Sequence, residues 1–355
     1  MATRWRAALY YLILWLTPIV GSLGTGEIVV RLLAPQDLSG TWLTYGPRGL
    51  VINKSSTTAR HQQGDSVVYY RFNHLHQRGE ELQPGARPVL VLGDSFTFGW
   101  MLEEPVSYVG RLQARVDERF GAGRFQLLNA ATAGWGAGDY LAYLEAFGEQ
   151  VRPYLVLVFV NFDDLDRALR TPLYSLGADG RAVARDLSGE RSLLKMMMDR
   201  IPLYDWLLEH SHVVQLLRNS TVRGVRASVR DIPSAPPSGL VPALPSSTAP
   251  DVDNRIPLAK ALMGRLKDWC DSRNIPQLVL TTGWVEADGR SWMGEVSQAF
   301  GAAFVDLAFE VATVVRKEPA LYQLASDGHP NARGAGVVAE AAWSALEKAL
   351  SDGAR

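Results

Sequence analysis

Arg87-Pro-Val-Leu-Val-Leu-Gly-Asp-Ser-Phe-Thr-Phe-Gly99 is the stretch whose reading decides the fold. Val89 to Leu92 is an unbroken aliphatic run, too short for a helix, and predicts a strand buried on both faces of a parallel sheet. Gly93 permits a tight exit, which puts Asp94 and Ser95 at the strand's C-terminal edge, where open α/β sheets place their chemistry. A serine there, opening a helix, presents its hydroxyl and its own N–H to the same space, so one residue can attack and help hold an oxyanion. An ordinary strand-to-helix turn, with Asp94 or Ser95 as cap, reads the same residues without any chemistry. The rest of the chain has to decide.

Downstream, the pattern alternates. Tyr108 to Phe120 carries Val109, Leu112 and Val116 at helical spacing with charges between them, and Phe125 to Leu128 predicts a second strand. Asn129 to Gly138 is a glycine-rich loop, after which Asp139 is expected to cap a helix reaching about Gln150. Pro153 ends that helix, and Tyr154 to Val160 is a further apolar strand running into Asn161-Phe-Asp-Asp164. The alternation resumes with a helix from Pro257 to about Arg273, strands at Gln277 to Thr282 and Ala303 to Leu307, and Ser326-Asp-Gly-His-Pro-Asn331. Asn331 is placed to cap a final helix from Ala332 to about Leu350, with Val337, Val338, Ala341, Ala342 and Leu346 facing inward. This is the pattern of an α/β doubly wound parallel sheet with right-handed crossovers, occupying residues 87–350.

Residues 165–254 interrupt it. Ser192 to Leu217 reads as helix broken near Pro202, and Asp231 to Pro250, rich in Pro, Ser and Ala, reads as a loose linker. The segment is expected to be a helical insertion, either a lid over the sheet edge or a contact surface. Residues 27–86 connect the N-terminus to the sheet domain. Within them, Val67 to Phe72 predicts an edge hairpin strand, and His74 and His76 lie two apart, as a metal pair on one strand face would, without an evident third ligand.

Composition sets outer bounds. The chain has 355 residues, is 47% hydrophobic, and carries a net charge of -1, which gives no electrostatic case for nucleic acid. Cys270 is its one cysteine, so neither an intrachain disulfide nor a cysteine-based zinc site can form. Arg4 and Arg6 precede an uncharged run from Ala7 to Gly26, which as a helix would span about 30 Å of hydrocarbon. The run is long, and no clean small-x-small cleavage site stands before Glu27, so residues 1–26 are expected to be an uncleaved signal anchor rather than a cleaved peptide. The leading arginines place the remainder of the chain on the periplasmic or extracellular side.

Three further polar signals fall where sheet chemistry would put them: Gly134 in the loop after the second strand, Asn161 at the end of the third, and His329 just before the last helix. Together with Gly93-Asp94-Ser95, and with Asp327-Gly-His329 taken as a block, they resemble the SGNH (GDSL-type) hydrolase superfamily over roughly residues 87–170 and 255–350. The N-terminal anchor and Arg71-Phe-Asn-His-Leu-His-Gln-Arg-Gly79 also look like membrane-anchored bacterial members, which often act on cell-surface polysaccharides. The resemblance implies a flavodoxin-like three-layer αβα fold. It implies Ser95 as nucleophile, His329 as general base and Asp327 as the carboxylate that orients it. The Ser95 and Gly134 N–H groups and the Asn161 side chain would form the oxyanion hole. Asp327 stands two residues before His329, where the commonest pattern has three, so Asp163 and Asp164 remain alternatives; Gly136 and Gly138 share the loop with Gly134.

The function so implied is an ester hydrolase working through an acyl-serine intermediate, without cofactor or metal, on an acylated small molecule or polysaccharide. An O-acyltransferase moving the acyl group to a sugar hydroxyl uses the same residues. A non-catalytic carbohydrate-binding assembly protein is the third reading, and the intact Ser95, Asn161 and His329 speak against it.

Overall fold

A computed structural model describes residues 2–161, 164, 167, 169, 172–191, 193–228, 255–281 and 303–352. The expected linker at 231–250, the segment 282–302 with Thr282, and Asp163 lie outside the described residues. The chain divides into two compact units.

The larger unit comprises 42–59, 68–196 and 235–355. Its centre is a five-stranded parallel sheet of β5 (Arg87–Leu92), β6 (Phe125–Asn129), β7 (Leu155–Val160), β10 (Gln277–Thr281) and β11 (Phe304–Val305), in the order β6-β5-β7-β10-β11. Counted along the chain this is the order 2-1-3-4-5, the doubly wound arrangement whose direction of winding reverses between its first and third strands. That reversal lies between β5 and β7, paired from Val89↔Leu155 to Leu92↔Val158.

The aliphatic runs explain why the sheet sits in the middle. Val89 and Val91 of β5, with Leu155, Leu157 and Phe159 of β7, pack into one core, which includes the helix α3 (Tyr108–Phe120) and the C-terminal helix Ala332–Asp352. Leu90 and Leu92, with Val156, Val158 and Val160, enter the opposite core, against α4 (Ala137–Val151) and the helix Arg255–Asp271. Successive residues point to opposite faces, so a strand apolar at every position needs a helical layer on each side.

Several boundaries differ from the sequence reading. Asp139 is not the cap of α4 but lies inside its first turn, where its carboxylate accepts from the N–H of the actual cap, Gly136, at 2.9 Å. The strand expected over Ala303–Leu307 shortens to Phe304–Val305, and Leu307 turns into the helix Ala308–Val315. In the last helix Asn331 Oδ1 does accept from Arg333 and Gly334 N–H, but Val337 and Ala341 are only partly buried, while Ala335, Ala339 and Leu350 complete the inward face. Residues 66–72 form a hairpin strand, β4, paired with β3 (Thr57–Gln63) outside the main sheet. A third cluster of Trp42, Tyr70, Phe72, Phe98 and Trp100 packs beside the C-terminal edge of β5.

The smaller unit comprises 1–41, 60–67 and 197–234. Its helix α1 (Ala2–Leu33) has a stretch from Tyr10 to Leu33 of mean hydropathy 1.6 with none of it buried, the one described helix long and apolar enough to cross a membrane. The Glu27 carboxylate of α1 meets the start of the helix His212–Ser228, accepting from Ser211 Oγ (2.8 Å), His212 N–H (2.9 Å) and Val213 N–H (3.1 Å). The expected break near Pro202 is present: Leu193–Met198 is followed by Tyr204–His210 and then His212–Ser228.

Candidate active site

Ser95 opens a single-turn helix, α2 (Ser95–Phe98), directly at the end of β5. Asp94 caps it, its Oδ1 accepting the Phe96 N–H at 2.9 Å. Gly93 is required by close approach, since a Cβ there would collide with the Thr97 side chain, which also accepts the Tyr108 hydroxyl at 2.6 Å. The turn therefore has only one way to leave the strand, and Ser95 follows at 6% exposure.

His329 reaches this serine from the far end of the chain. Its Nε2 lies 2.8 Å from Ser95 Oγ, and its Nδ1 lies 3.0 Å from Asp327 Oδ1. The Nδ1 contact falls within ion-pair distance but is oblique, off the line of a well-formed hydrogen bond. Its obliqueness follows from local geometry: Asp327 Oδ1 also accepts the backbone N–H of His329 at 3.2 Å, a two-residue Asx turn. Gly328, at φ +77, makes that turn accessible, because a side chain would be strained there. The loop is fastened behind, with Leu324 N–H donating to His329 C=O (2.7 Å) and Asn331 N–H to Tyr322 C=O (3.0 Å).

Asn161 ends β7, at the reversal point, and is 2% exposed. Its Nδ2 donates to Asp94 Oδ2 at 2.7 Å, and its backbone N–H to Asp164 Oδ2 at 2.7 Å. Gly134 sits at the third position of a turn closed by Trp135 N–H to Thr132 C=O (3.2 Å), with φ +86. That turn is held toward the end of β5 by Thr132 N–H to Gly93 C=O (3.4 Å).

Of the alternative residues, Asp164, Gly136 and Gly138 are described and Asp163 is not. Asp164 Oδ2 accepts from Tyr140 Oη (2.8 Å) and Asn161 N–H, a bracing role inside the sheet edge. Burial first, then the Asp164 and Asp94 carboxylates, raise the Tyr140 pKa, so its hydroxyl keeps its proton and donates. Gly136 is spent as the α4 cap, and Gly138 lies within α4. His74 and His76 do not share a strand. They lie in a turn after β4, with His74 paired to Glu81 and His76 Nδ1 2.7 Å from the Asn53 carbonyl. Among the described residues no three His, Cys, Asp or Glu side chains are grouped as a metal would need.

Four residues that the sequence reading did not single out complete the surroundings. Arg167 donates to Asp94 Oδ2 (2.8 Å) and Trp135 C=O (3.2 Å). Asn129, the last residue of β6, donates to Thr97 C=O (2.9 Å). Arg78 is buried and donates to the carbonyls of Phe98, Gly99 and Leu102, and its burial lowers its pKa from the ordinary value. Trp100 stacks on His329. Of these, Arg78 had a signal: it falls within the Arg71–Gly79 stretch that resembles membrane-anchored relatives.

No family model and no curated protein matches this sequence. Among solved structures the chain is similar to TesA, at 16% identity and a TM-score of 0.39 over 74% of this chain and 99% of that one. It is also similar to the psychrotrophic esterase EstA from Pseudoalteromonas sp. (14%, TM-score 0.41, 75% and 99%) and to the acetyl xylan esterase AlAXEase (15%, TM-score 0.41, 73% and 99%). The fold described above rests on strand order and register rather than on these superpositions.

Proposed function

We propose that this chain is a serine-dependent ester hydrolase. The observation that carries the reading is the 2.8 Å approach of His329 Nε2 to Ser95 Oγ across 234 residues of sequence. Ser95 Oγ attacks the ester carbonyl while His329 Nε2 takes its proton, and the Asp327 carboxylate stabilises the imidazolium so formed. The carbonyl oxygen becomes an oxyanion, which the N–H groups of Ser95 and Gly134 and the Asn161 side-chain amide receive. As the tetrahedral intermediate collapses, His329 returns the proton to the leaving alcohol and the acyl group stays on Ser95. Water then repeats the sequence in reverse, releasing the acid and restoring Oγ–H.

The substrate we propose is an acylated glycan of the cell envelope, met by a domain held at the outer face of a membrane through α1. The apolar helix and the arginines ahead of it support that location. Transfer to a sugar hydroxyl differs only in which hydroxyl meets the acyl-enzyme. Incubating the protein with a fluorophosphonate should give a covalent adduct on Ser95, detected by mass spectrometry of the Ser95 peptide. An unlabelled serine in folded protein would overturn the enzyme reading, and acylated oligosaccharide formed from an acyl donor would assign transfer instead of hydrolysis.

A further inference from the structure

We infer that Trp100 is a positioning residue for the Asp327–His329 pair, holding the carboxylate that its short spacing from His329 leaves poorly aligned; this rests on the serine-hydrolase reading above. The indole Nε1–H donates to Asp327 Oδ2 at 3.0 Å, and the indole ring lies against the imidazole with centroids 5.6 Å apart and planes at 28°. One side chain thus touches both partners.

The fold constrains Trp100 to be there. Met101, next to it, adopts φ +54, unfavourable for a side-chain-bearing residue, and its N–H is taken by the buried Tyr70 hydroxyl at 3.0 Å. Arg78, sandwiched against the Tyr70 and Phe98 rings, ties down the carbonyls on both sides of Trp100. Trp100 N–H itself donates to Ser95 C=O at 3.2 Å, so the loop is built off the nucleophile's own helix.

The need for such a clamp follows from Asp327. Its Oδ1 is shared between the His329 backbone N–H and an oblique approach to Nδ1. Rotation of the carboxylate about χ2 swings Oδ1 away from the ring. A donor on Oδ2 removes that rotation. Core packing beside Trp42, at 6.1 Å, is the plainer role for the same ring. It would not depend on the charge of Asp327.

The test uses the full chain in detergent micelles with p-nitrophenyl acetate. Fluorophosphonate labelling of wild type comes first, and its failure removes the hydrolase reading and this inference with it. With labelling established, Trp100→Phe keeps a ring and loses the N–H; kcat should fall about tenfold with KM within about twofold. In an Asp327→Ala background the same substitution should change kcat less than about twofold, because no acceptor for the indole N–H remains there. An unchanged kcat in Trp100→Phe, or an equal loss in both backgrounds, overturns the inference. Should Trp100→Phe fail to fold, Asp327→Ala alone decides by NMR: the Trp100 indole N–H resonance must move when the acceptor is removed, and an unmoved resonance overturns it.

Discussion

Asn161 Nδ2 donates to Asp94 Oδ2 at 2.7 Å, joining the end of β7 to the residue that caps α2. The aspartate of Gly93-Asp94-Ser95 therefore has two tasks, one oxygen holding the Phe96 N–H and the other orienting an amide on the neighbouring strand. Asn161→Ala is expected to lower kcat on p-nitrophenyl acetate about 10²- to 10³-fold, the usual loss for an oxyanion donor. Asp94→Asn, which turns an amide toward the Asn161 and Arg167 donors, should reproduce part of that loss while Ser95 is intact.

Ser95→Ala is expected to abolish turnover of the same ester, with the melting temperature within a few degrees of wild type. Steady-state kinetics and calorimetry on one preparation check both halves.

Asp327→Asn should lower kcat at least about a hundredfold, because His329 loses the charge that stabilises its protonated form. Asp164→Asn should act differently. It weakens the bonds from Tyr140 and Asn161, so the expected signature is a lower melting temperature. A near wild-type rate for Asp327→Asn would move the carboxylate role elsewhere.

Gly93→Ala adds a methyl where the Thr97 side chain already stands against backbone. The expected cost is about 1–3 kcal/mol of stability, in the range for overpacking a tight site. Denaturant unfolding of the full chain in detergent measures it.

His76 supplies a pH prediction. Burial holds its pKa below the ordinary 6.5, with the Asn53 carbonyl opposing. Below that ordinary value the unfolded chain takes up a proton that the folded chain refuses until its own lower pKa is reached. Stability present above pH 6.5 is therefore lost as the pH falls toward the folded value. His76→Asn, which tolerates the left-handed backbone there (φ +65), should flatten the fall in melting temperature between about pH 8 and about pH 5.

The central sheet was legible because β5, β7 and β10 are apolar at nearly every position, a pattern that only a strand covered on both faces produces. Ser95 and Asn161 could be picked out as candidates because each follows an apolar run, and His329 because it stands between Gly328 and Pro330 just before the last helix. Trp100, Arg78 and Arg167 were not. Their partners lie between 3 and 229 residues away, and no periodicity records a bond from an indole to a carboxylate near the other end of the chain. His74 and His76 do not share a strand face, as their spacing would have them do, because the strand ends at Phe72 and the backbone turns there. Asp139 misled because an acid three residues inside a helix start and one at the cap look alike when glycine can take the cap.

Glu27 gives the N-terminal helix a structural duty apart from any tethering. Proteolysis beyond Leu33 would strip the first turn of His212–Ser228 of its acceptor and leave those donors to water. Residues 197–228 therefore take the start of their longest helix from a carboxylate carried by α1, whatever the apolar stretch ahead of it does.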